Sequence, residues 1–209
     1  MSEYKVMLSK LISEHLNKIL VENPKNHIIA YHGSKDIIDR FKFVSKDKAN
    51  NQEGPGMYFT INYEDAKSYA GDDGYIYTVE FTPNRLLTDT PTNTLDKKVL
   101  RSNVLKLIKM NPNWKRVAMN YGDDLDEGLD GMLFKYIDMS KNERLVYISI
   151  YEDLYYNEPE LFVKGMVKLG YDGAHLSSKY GDSDNYAVYN KSKIKIVNKE
   201  KVSGWYVAN

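Results

Sequence analysis

Two tyrosines, Tyr58 and Tyr69, stand eleven residues apart in a stretch that opens with the turn-forming residues Gly54-Pro55-Gly56. Residues 57–61 have the apolar and aromatic character of a short strand, and Asn62 suits the N-cap of a helix with acidic residues in its first turn. A strand–turn–helix unit of this kind can set the two rings face to face, as a clamp for a flat heteroaromatic guest. The alternative is that both rings fill the hydrophobic core, as most aromatic side chains do.

The composition of the chain excludes several kinds of chemistry. Its 209 residues suit one domain with its own core, and its 29 basic residues balance its 29 acidic ones, so no overall field recruits nucleic acid or membrane. The absence of cysteine excludes disulfides, thiol catalysis and thiolate metal sites. No segment has the apolar length of a signal peptide or a membrane span. We therefore expect a cytoplasmic protein with no membrane partner.

The elements that must position these residues follow from hydrophobic periodicity. Apolar residues at helical spacing predict an N-terminal helix within residues 1–24. A second, short helix is predicted over residues 36–41. The first group of strands is predicted at 27–31, 57–61 and 74–82.

From residue 94 to residue 164 the pattern is helical, and it is followed by strands predicted at 171–176, 186–190 and 194–198. This order predicts an α+β fold with an inserted helical lobe.

The acidic run at 123–131 does not fit a calcium loop, because no register combines glycine at the sixth position with a carboxylate at the twelfth. We interpret it as the start of a helix. The four histidines include no close-spaced pair, so no metal site is predicted.

Three short motifs occur in order along the chain, each at a predicted strand boundary: Tyr31-His32-Gly33-Ser34, then Gly56-Met57-Tyr58-Phe59 with Tyr69 further on, then Asn185-Tyr186-Ala187-Val188-Tyr189-Asn190. Together they resemble the ADP-ribosyltransferase superfamily, in the poly(ADP-ribose) polymerase and diphtheria-toxin-like branch that is named for a His, a Tyr and a Glu. The flanking residues are similar to those of small transferases from phages and mobile elements. The resemblance covers roughly residues 27–90 and 165–198. It implies a split β-sheet core in a single domain, with residues 94–164 as a helical insertion.

The resemblance implies that NAD binds as a co-substrate, without a metal, through residues of the first two motifs and the following helix: His32, Gly33, Ser34, Tyr58, Ala66 and Tyr69. His32 would hold a hydroxyl of the adenosine ribose; the alternative is a strand-end histidine bonded to the backbone. Gly33 would present its N–H and C=O to the nicotinamide carboxamide, which a Cβ would obstruct, and Ser34 could add a hydroxyl. Tyr58 and Tyr69 would sandwich the nicotinamide ring.

The third motif departs from the family pattern, because Asn185 stands where the branch has its glutamate. An amide can still hydrogen-bond the nicotinamide ribose but supplies no charge, and a charge-assisted contact is worth roughly 1.5–3 kcal/mol. This argues against polymer synthesis and leaves transfer of a single ADP-ribose open. Asp182 and Asp184 are the nearest acids and could supply the missing carboxylate. Alternatively, both simply form a solvated turn.

The resemblance therefore implies an NAD-dependent mono-ADP-ribosyltransferase that modifies a macromolecule, with protein as the first expectation. Such an enzyme would be a toxin or a phage effector that acts in the host cytoplasm, and it could have an antidote protein. A catalytically silent module that binds NAD or a protein partner is the alternative. A nucleic-acid acceptor is less favoured by the balanced charge, although Lys106, Lys109, Lys115 and Arg116 could form a local basic face.

Overall fold

A seven-stranded mixed β-sheet is the framework of the protein, and the computed structural model describes residues 27–41, 54–177 and 184–202. The strands are β1 (Ile28–Ser34), β2 (Met57–Thr60), β3 (Tyr75–Phe81), β4 (Leu86–Leu87), β5 (Gly173–Ser177), β6 (Asp184–Val188) and β7 (Ile194–Lys201). They lie in the order β4-β5-β6-β2-β1-β3-β7. The pair β4–β5 is parallel, and every other neighbouring pair is antiparallel. The predicted helix within residues 1–24 lies outside the described residues.

Six α-helices accompany the sheet in the described part of the chain. They are α1 (Tyr63–Ala70), α2 (Lys97–Met110), α3 (Trp114–Ala118), α4 (Leu125–Leu133), α5 (Glu143–Ile150) and α6 (Pro159–Lys168). Helices α2 to α6 all fall between β4 and β5 in the chain, and we call them the helical lobe. The mixture of sheet and helices confirms the α+β class predicted from the sequence.

Pairing within the sheet is weakest between β1 and β2. These two strands share the single register pair Tyr31 and Thr60, whereas β1 pairs with β3 at seven positions and β2 pairs with β6 at four. The sheet therefore consists of two groups of strands, β4-β5-β6-β2 and β1-β3-β7, joined at one position. Gly33 on β1 and Tyr58 on β2 each lie two residues from the Tyr31–Thr60 pair. At these residues the edges of the two strands face each other without pairing.

Several helix ends follow the capping rules. The side chains of Asn62, Asp96, Asp124 and Asn142 each accept backbone N–H groups in the first turn of the helix that follows. Asp124 caps α4, so the acidic run is the start of a helix, as predicted. Gly170, just beyond α6, has a φ of +90°, the left-handed conformation in which glycine commonly ends a helix.

The short helix predicted over residues 36–41 is wrong. This segment is irregular, because two of its backbone donors bond to side chains and not to carbonyls within the segment. The Asp36 N–H donates to Ser34 Oγ (3.1 Å), and the Ile38 N–H donates to the Tyr77 hydroxyl (2.6 Å). Local hydrogen bonds of this kind compete with helix formation.

Two helices of the lobe continue into π-helical turns, Phe134–Asp138 after α4 and Tyr151–Tyr155 after α5. Asp153 connects the two turns: its Oδ2 accepts from Lys135 Nζ (2.7 Å) and from the Tyr136 hydroxyl (2.9 Å). Burial alone would raise the pKa of Asp153, but these hydrogen bonds outweigh it and lower the pKa.

None of the described helices is long and apolar enough to cross a lipid bilayer.

The two faces of the sheet have different neighbours. Tyr58 and Ala187, which are register partners on β2 and β6, pack against the helical lobe, and we call this side the lobe face. The opposite side, which we call the far face, has a separate apolar cluster that includes Phe59 and Val188. Successive side chains of a strand point to opposite faces of the sheet. Once one residue of a strand is placed on a face, the faces of all its other residues follow.

Candidate active site

The junction of β1 and β2 brings together the first two motifs. Directly opposed residues of an antiparallel pair share a face, so Tyr31 and Thr60 lie on the same side of the sheet. Thr60 in turn opposes Asn185. Tyr58 is two residues from Thr60, and Gly33 is two residues from Tyr31. Alternation therefore places Gly33, Tyr58 and Asn185 together on the lobe face.

His32 joins the two strands where their backbone pairing has stopped. Its Nδ1 lies 2.8 Å from the carbonyl oxygen of Tyr58. A carbonyl can only accept, so Nδ1 carries the proton. Because His32 alternates with Gly33 on β1, its ring lies on the far face, opposite to the side of Tyr58 and Asn185. There it makes an edge contact with Phe41 and a tilted contact with Phe59, at centroid distances of 5.2 and 5.7 Å.

These contacts determine the electronic state of His32. Burial lowers the pKa of His32, and the hydrogen bond to Tyr58 offsets only part of that effect. The imidazole is therefore neutral at pH 7, with its proton on Nδ1. Its Nε2 makes no hydrogen bond within the described residues and is left as an acceptor. A neutral histidine of this tautomer can receive a hydrogen bond from a sugar hydroxyl. The alternative considered for His32, a strand-end histidine bonded to the backbone, is therefore present through Nδ1. Binding of a ribose hydroxyl by Nε2 stays a prediction.

Gly33 has a packing reason for being glycine. A Cβ built at this position would lie 1.7 Å from the carbonyl oxygen of Ala66, in the middle of α1. The lack of a side chain thus lets α1 lie directly on β1. This requirement is sufficient without a ligand, so the glycine is not in itself a sign of nicotinamide.

Tyr58 and Tyr69 differ sharply in their surroundings. The Tyr58 hydroxyl donates to the carbonyl oxygen of Gly54, and its half-buried ring packs against the helical lobe. Tyr69 lies on α1 with 74% of its surface exposed. Its ring is therefore not a core residue, contrary to the alternative considered for it. The proposed clamp of the two rings stays a prediction.

Two residues of the predicted NAD set, Ala66 and Ser34, have partners within the protein, and their binding to NAD stays a prediction. Ala66 is completely buried between α1 and β1, which leaves it no surface for a ligand. Ser34 follows Gly33 on β1 and so points to the far face, where its Oγ accepts the N–H of Asp36. The sequence motif could not show this, because it gives spacing along the strand but not the neighbours on each side.

The third motif contributes Asn185 but not Asp184 to the lobe face. Asp184 precedes Asn185 on β6 and therefore points to the far face. There its Oδ1 lies 3.0 Å from His175 Nε2, although the angles are not those of a hydrogen bond. The His175 ring stacks on Tyr186, with centroids 5.0 Å apart. The predicted sharing of charge between Asp184 and the ribose is therefore not supported by this arrangement. Asp182 lies outside the described residues.

Sequence reasoning missed the aromatic support of His32 and the place of Thr60. Phe59 was assigned only to a strand, although alternation with Tyr58 was enough to put it on the opposite face. Thr60 is 6% exposed, and its hydroxyl accepts the N–H of Asn62 at the start of α1. It lies between Tyr31 and Asn185 in the register. Phe41 had no sequence signal, because its contact with His32 depends on the irregular segment that follows β1.

Two cavities of the described structure lie away from this junction. One, of about 170 Å³, is lined by residues that include Arg85, Glu143 and Tyr171. The other is an open groove of about 440 Å³ along α2. In the described ranges, no three or more histidine or acidic side chains are grouped as they would be to hold a metal ion.

Comparison with known proteins gives little further information. No protein-family model matches the chain, and no curated protein matches it. One solved structure, titled "Crystal structure of an anti-CRISPR protein", is 16% identical and covers 86% of this chain and 100% of its own, with a TM-score of 0.35. A score this low does not support an inference about fold or function.

Proposed function

We propose that the protein is an NAD-dependent mono-ADP-ribosyltransferase that modifies a macromolecule, with protein as the expected acceptor. The observation that carries the proposal is the junction of β1 and β2. There a neutral His32, whose Nε2 makes no hydrogen bond within the described ranges, bonds through Nδ1 to Tyr58, beside an unpaired stretch of both strands. The sequence resemblance assigns NAD binding to the same two residues.

The chemistry asked of the site is substitution at the ribose carbon that bears nicotinamide. The bond from that carbon to the nicotinamide nitrogen breaks, nicotinamide leaves as a neutral molecule, and a nucleophile of the acceptor bonds to the same carbon and loses its proton. The protein has to hold the two ends of NAD in place while positive charge develops on the ribose. In the proposal His32 Nε2 accepts from the adenosine ribose on the far face, Tyr58 and Tyr69 hold the nicotinamide, and Asn185 binds the nicotinamide ribose on the lobe face. NAD would therefore have to lie along the unpaired edges of β1 and β2, where both faces can be reached.

A second candidate is a module that binds NAD without transferring ADP-ribose. It is favoured by the position of Asp184, the described acid nearest to Asn185 in sequence. The Asp184 carboxylate faces His175 on the far face. The lobe face then has the Asn185 amide without the charge that a glutamate would supply. A dipole stabilises a developing cation less than a full charge does, above all in a site that excludes water.

Labelled NAD incubated with the protein and a cell lysate tests the proposal. Transfer is expected to label a macromolecule, and Tyr69→Ala is the sharpest variant, because an exposed ring can be removed with little effect on stability. We expect Tyr69→Ala to lower the rate of transfer at least about tenfold, which corresponds to roughly 1.4 kcal/mol. Phe134→Ala is the matched control, since this aromatic ring on the helical lobe is 60% exposed and belongs to no predicted site.

Binding and transfer separate the two candidates. If native protein binds NAD in calorimetry but labels nothing, and Asn185→Glu then labels a macromolecule, the silent module is correct. If native protein labels its acceptor and Asn185→Ala removes the labelling, the transferase is correct. Absence of NAD binding in a folded native protein would contradict both.

A further inference from the structure

Helix α2 has an unusual charge distribution for a protein whose acidic and basic residues balance. Its 14 residues include five cations and no acid. The cations are Lys97, Lys98, Arg101, Lys106 and Lys109. Its apolar side chains Leu100, Val104, Leu107 and Ile108 are buried in the helical lobe, so the charged side of the helix faces outward. The protein therefore has a strongly basic surface along α2, although its acidic and basic residues are equal in number.

Four of these cations line a single groove. The groove of about 440 Å³ runs along α2 and is lined by Lys98, Arg101, Ser102, Leu105, Lys106 and Lys109. The cations follow one another at intervals of three, five and three residues, which places them along one side of the helix. At a rise of about 1.5 Å per residue, the successive cations lie roughly 4.5, 7.5 and 4.5 Å apart along the helix axis. The groove is therefore a straight array of positive charges with one hydroxyl and one apolar side chain.

Most of this charge has no partner in the part of the chain that the structure describes. Arg101 Nη2 lies 2.9 Å from Asp130 Oδ1, but both side chains are largely exposed, so the pair contributes little. Lys98, Lys106 and Lys109 form no ion pair with any residue in the described ranges. Like charges in a row repel each other, and a bound polyanion would relieve that repulsion.

We propose that this groove binds a single strand of nucleic acid through its phosphate backbone. Lysine, arginine and serine side chains are typical phosphate donors, and a row of cations suits a chain of evenly spaced charges. An acidic protein is a poorer match, because stable protein interfaces are built around apolar or aromatic anchors. Leu105 is the one apolar residue of the six that line the groove, and it is only partly buried.

Fluorescence anisotropy with labelled polyuridine of about twelve nucleotides tests the proposal. The triple variant Lys98→Glu, Lys106→Glu, Lys109→Glu is compared with Lys168→Glu, Lys191→Glu, Lys201→Glu, which changes the net charge equally at three exposed lysines outside α2. We expect the groove variant to weaken binding at least about tenfold and to reduce the salt slope of log affinity by about 2, since each phosphate contact on a single strand contributes about 0.7. The control is expected to change affinity less than about threefold.

Three other results would overturn the proposal that the groove binds nucleic acid. A polyglutamate peptide of the same length should bind at least about tenfold more weakly than polyuridine, and equal binding would assign the groove to an acidic protein and overturn the proposal. Equal loss in both triple variants, or no binding by the native protein, would also overturn it. Circular dichroism checks the fold, and the milder Lys→Gln triple replaces any variant that fails to fold. The assay contains no NAD, so its result is independent of the proposed transferase activity.

Discussion

At the scale of single residues, His32 shows how one side chain can serve both structure and chemistry. Its Nδ1 proton is committed to the Tyr58 carbonyl, which fixes the tautomer and the ring orientation. Its Nε2 is then the only ring atom that can meet a ligand. A substitution that keeps a donor at the place of Nδ1 but has no atom at the place of Nε2 should therefore separate the structural role of His32 from its proposed role in binding.

We expect His32→Asn to keep the fold and to weaken NAD binding. The asparagine amide can occupy the place of Nδ1 and still donate to Tyr58, but it has no atom at the place of Nε2. Loss of one neutral hydrogen bond is worth about 1 kcal/mol, so the dissociation constant for NAD should rise about fivefold in calorimetry. Retention of native affinity by a folded His32→Asn would show that Nε2 does not contact NAD.

The same substitution gives a pH signature. The pKa of His32 is lowered in the folded state, so the unfolded chain binds its proton more readily. The stability that His32 contributes is complete above the unfolded pKa, about 6.5, and is lost as the pH falls toward the folded pKa. Native protein should therefore lose more free energy of unfolding than His32→Asn between about pH 7.5 and about pH 5.5. Equal losses in urea titrations would contradict the buried, neutral histidine.

At the scale of elements, the approach of α1 to β1 determines the geometry of the candidate site. Gly33 lets the helix backbone contact the strand, and Asn62 caps the helix immediately after β2. Tyr69 precedes Ala70, whose backbone nitrogen would lie 2.8 Å from a Cβ at Gly33, so its place on α1 depends on this packing. The predicted clamp of Tyr58 and Tyr69 would therefore depend on the distance between β1 and α1.

We expect Gly33→Ala to destabilise the protein by at least about 2 kcal/mol, because the added methyl group would overlap the Ala66 carbonyl and force α1 away from β1. The free energy of unfolding in urea measures the effect. A suitable comparison is Ser102→Ala, an exposed change on α2, which should stay within about 0.5 kcal/mol of native. A Gly33→Ala protein of native stability would mean that α1 does not rest on β1.

At the scale of the whole molecule, one polar cluster connects the edge of the sheet to the helical lobe. Glu143 at the start of α5 is 5% exposed, and its Oε1 accepts from Arg85 Nη2 (2.9 Å) and from the Tyr171 hydroxyl (2.5 Å). Arg85 precedes β4 and lies 4.0 Å above the ring of Tyr171, which precedes β5. Burial also raises the pKa of the neighbouring Tyr147 to about 12. The lobe is therefore attached through a carboxylate whose partners come from distant parts of the chain.

Glu143→Ala should lower the free energy of unfolding by about 2–3 kcal/mol, because it leaves the buried Tyr171 hydroxyl without its acceptor. The cost stays below that of a fully buried ion pair, since the Arg85 side chain is 44% exposed and can turn to water. Chemical denaturation gives the measurement, with the exposed Glu160→Ala on α6 as control. If both variants unfolded at the same denaturant concentration, the cluster would not hold the lobe to the sheet.

The sequence by itself determined the features that depend on neighbouring residues. Alternation in β3, the cap at Asn62, the helix start in the acidic run and the glycine after α6 were all readable, because each reflects a local hydrogen bond or a local period of side chains. The α+β class followed from the order of those patterns. The charge-bearing face of α2 was visible in part, through Lys106 and Lys109.

Only the tertiary structure decided which residues share a surface. The sequence predicted a strand only from residue 186, whereas pairing with β2 and β5 extends β6 back to Asp184. Only this longer strand places Asp184 and Asn185 on opposite faces. The reason for Gly33 is a helix more than thirty residues later, and the fate of residues 36–41 depends on the Tyr77 hydroxyl on another strand. Such contacts join parts of the chain that are distant in sequence, and a local pattern carries no information about them.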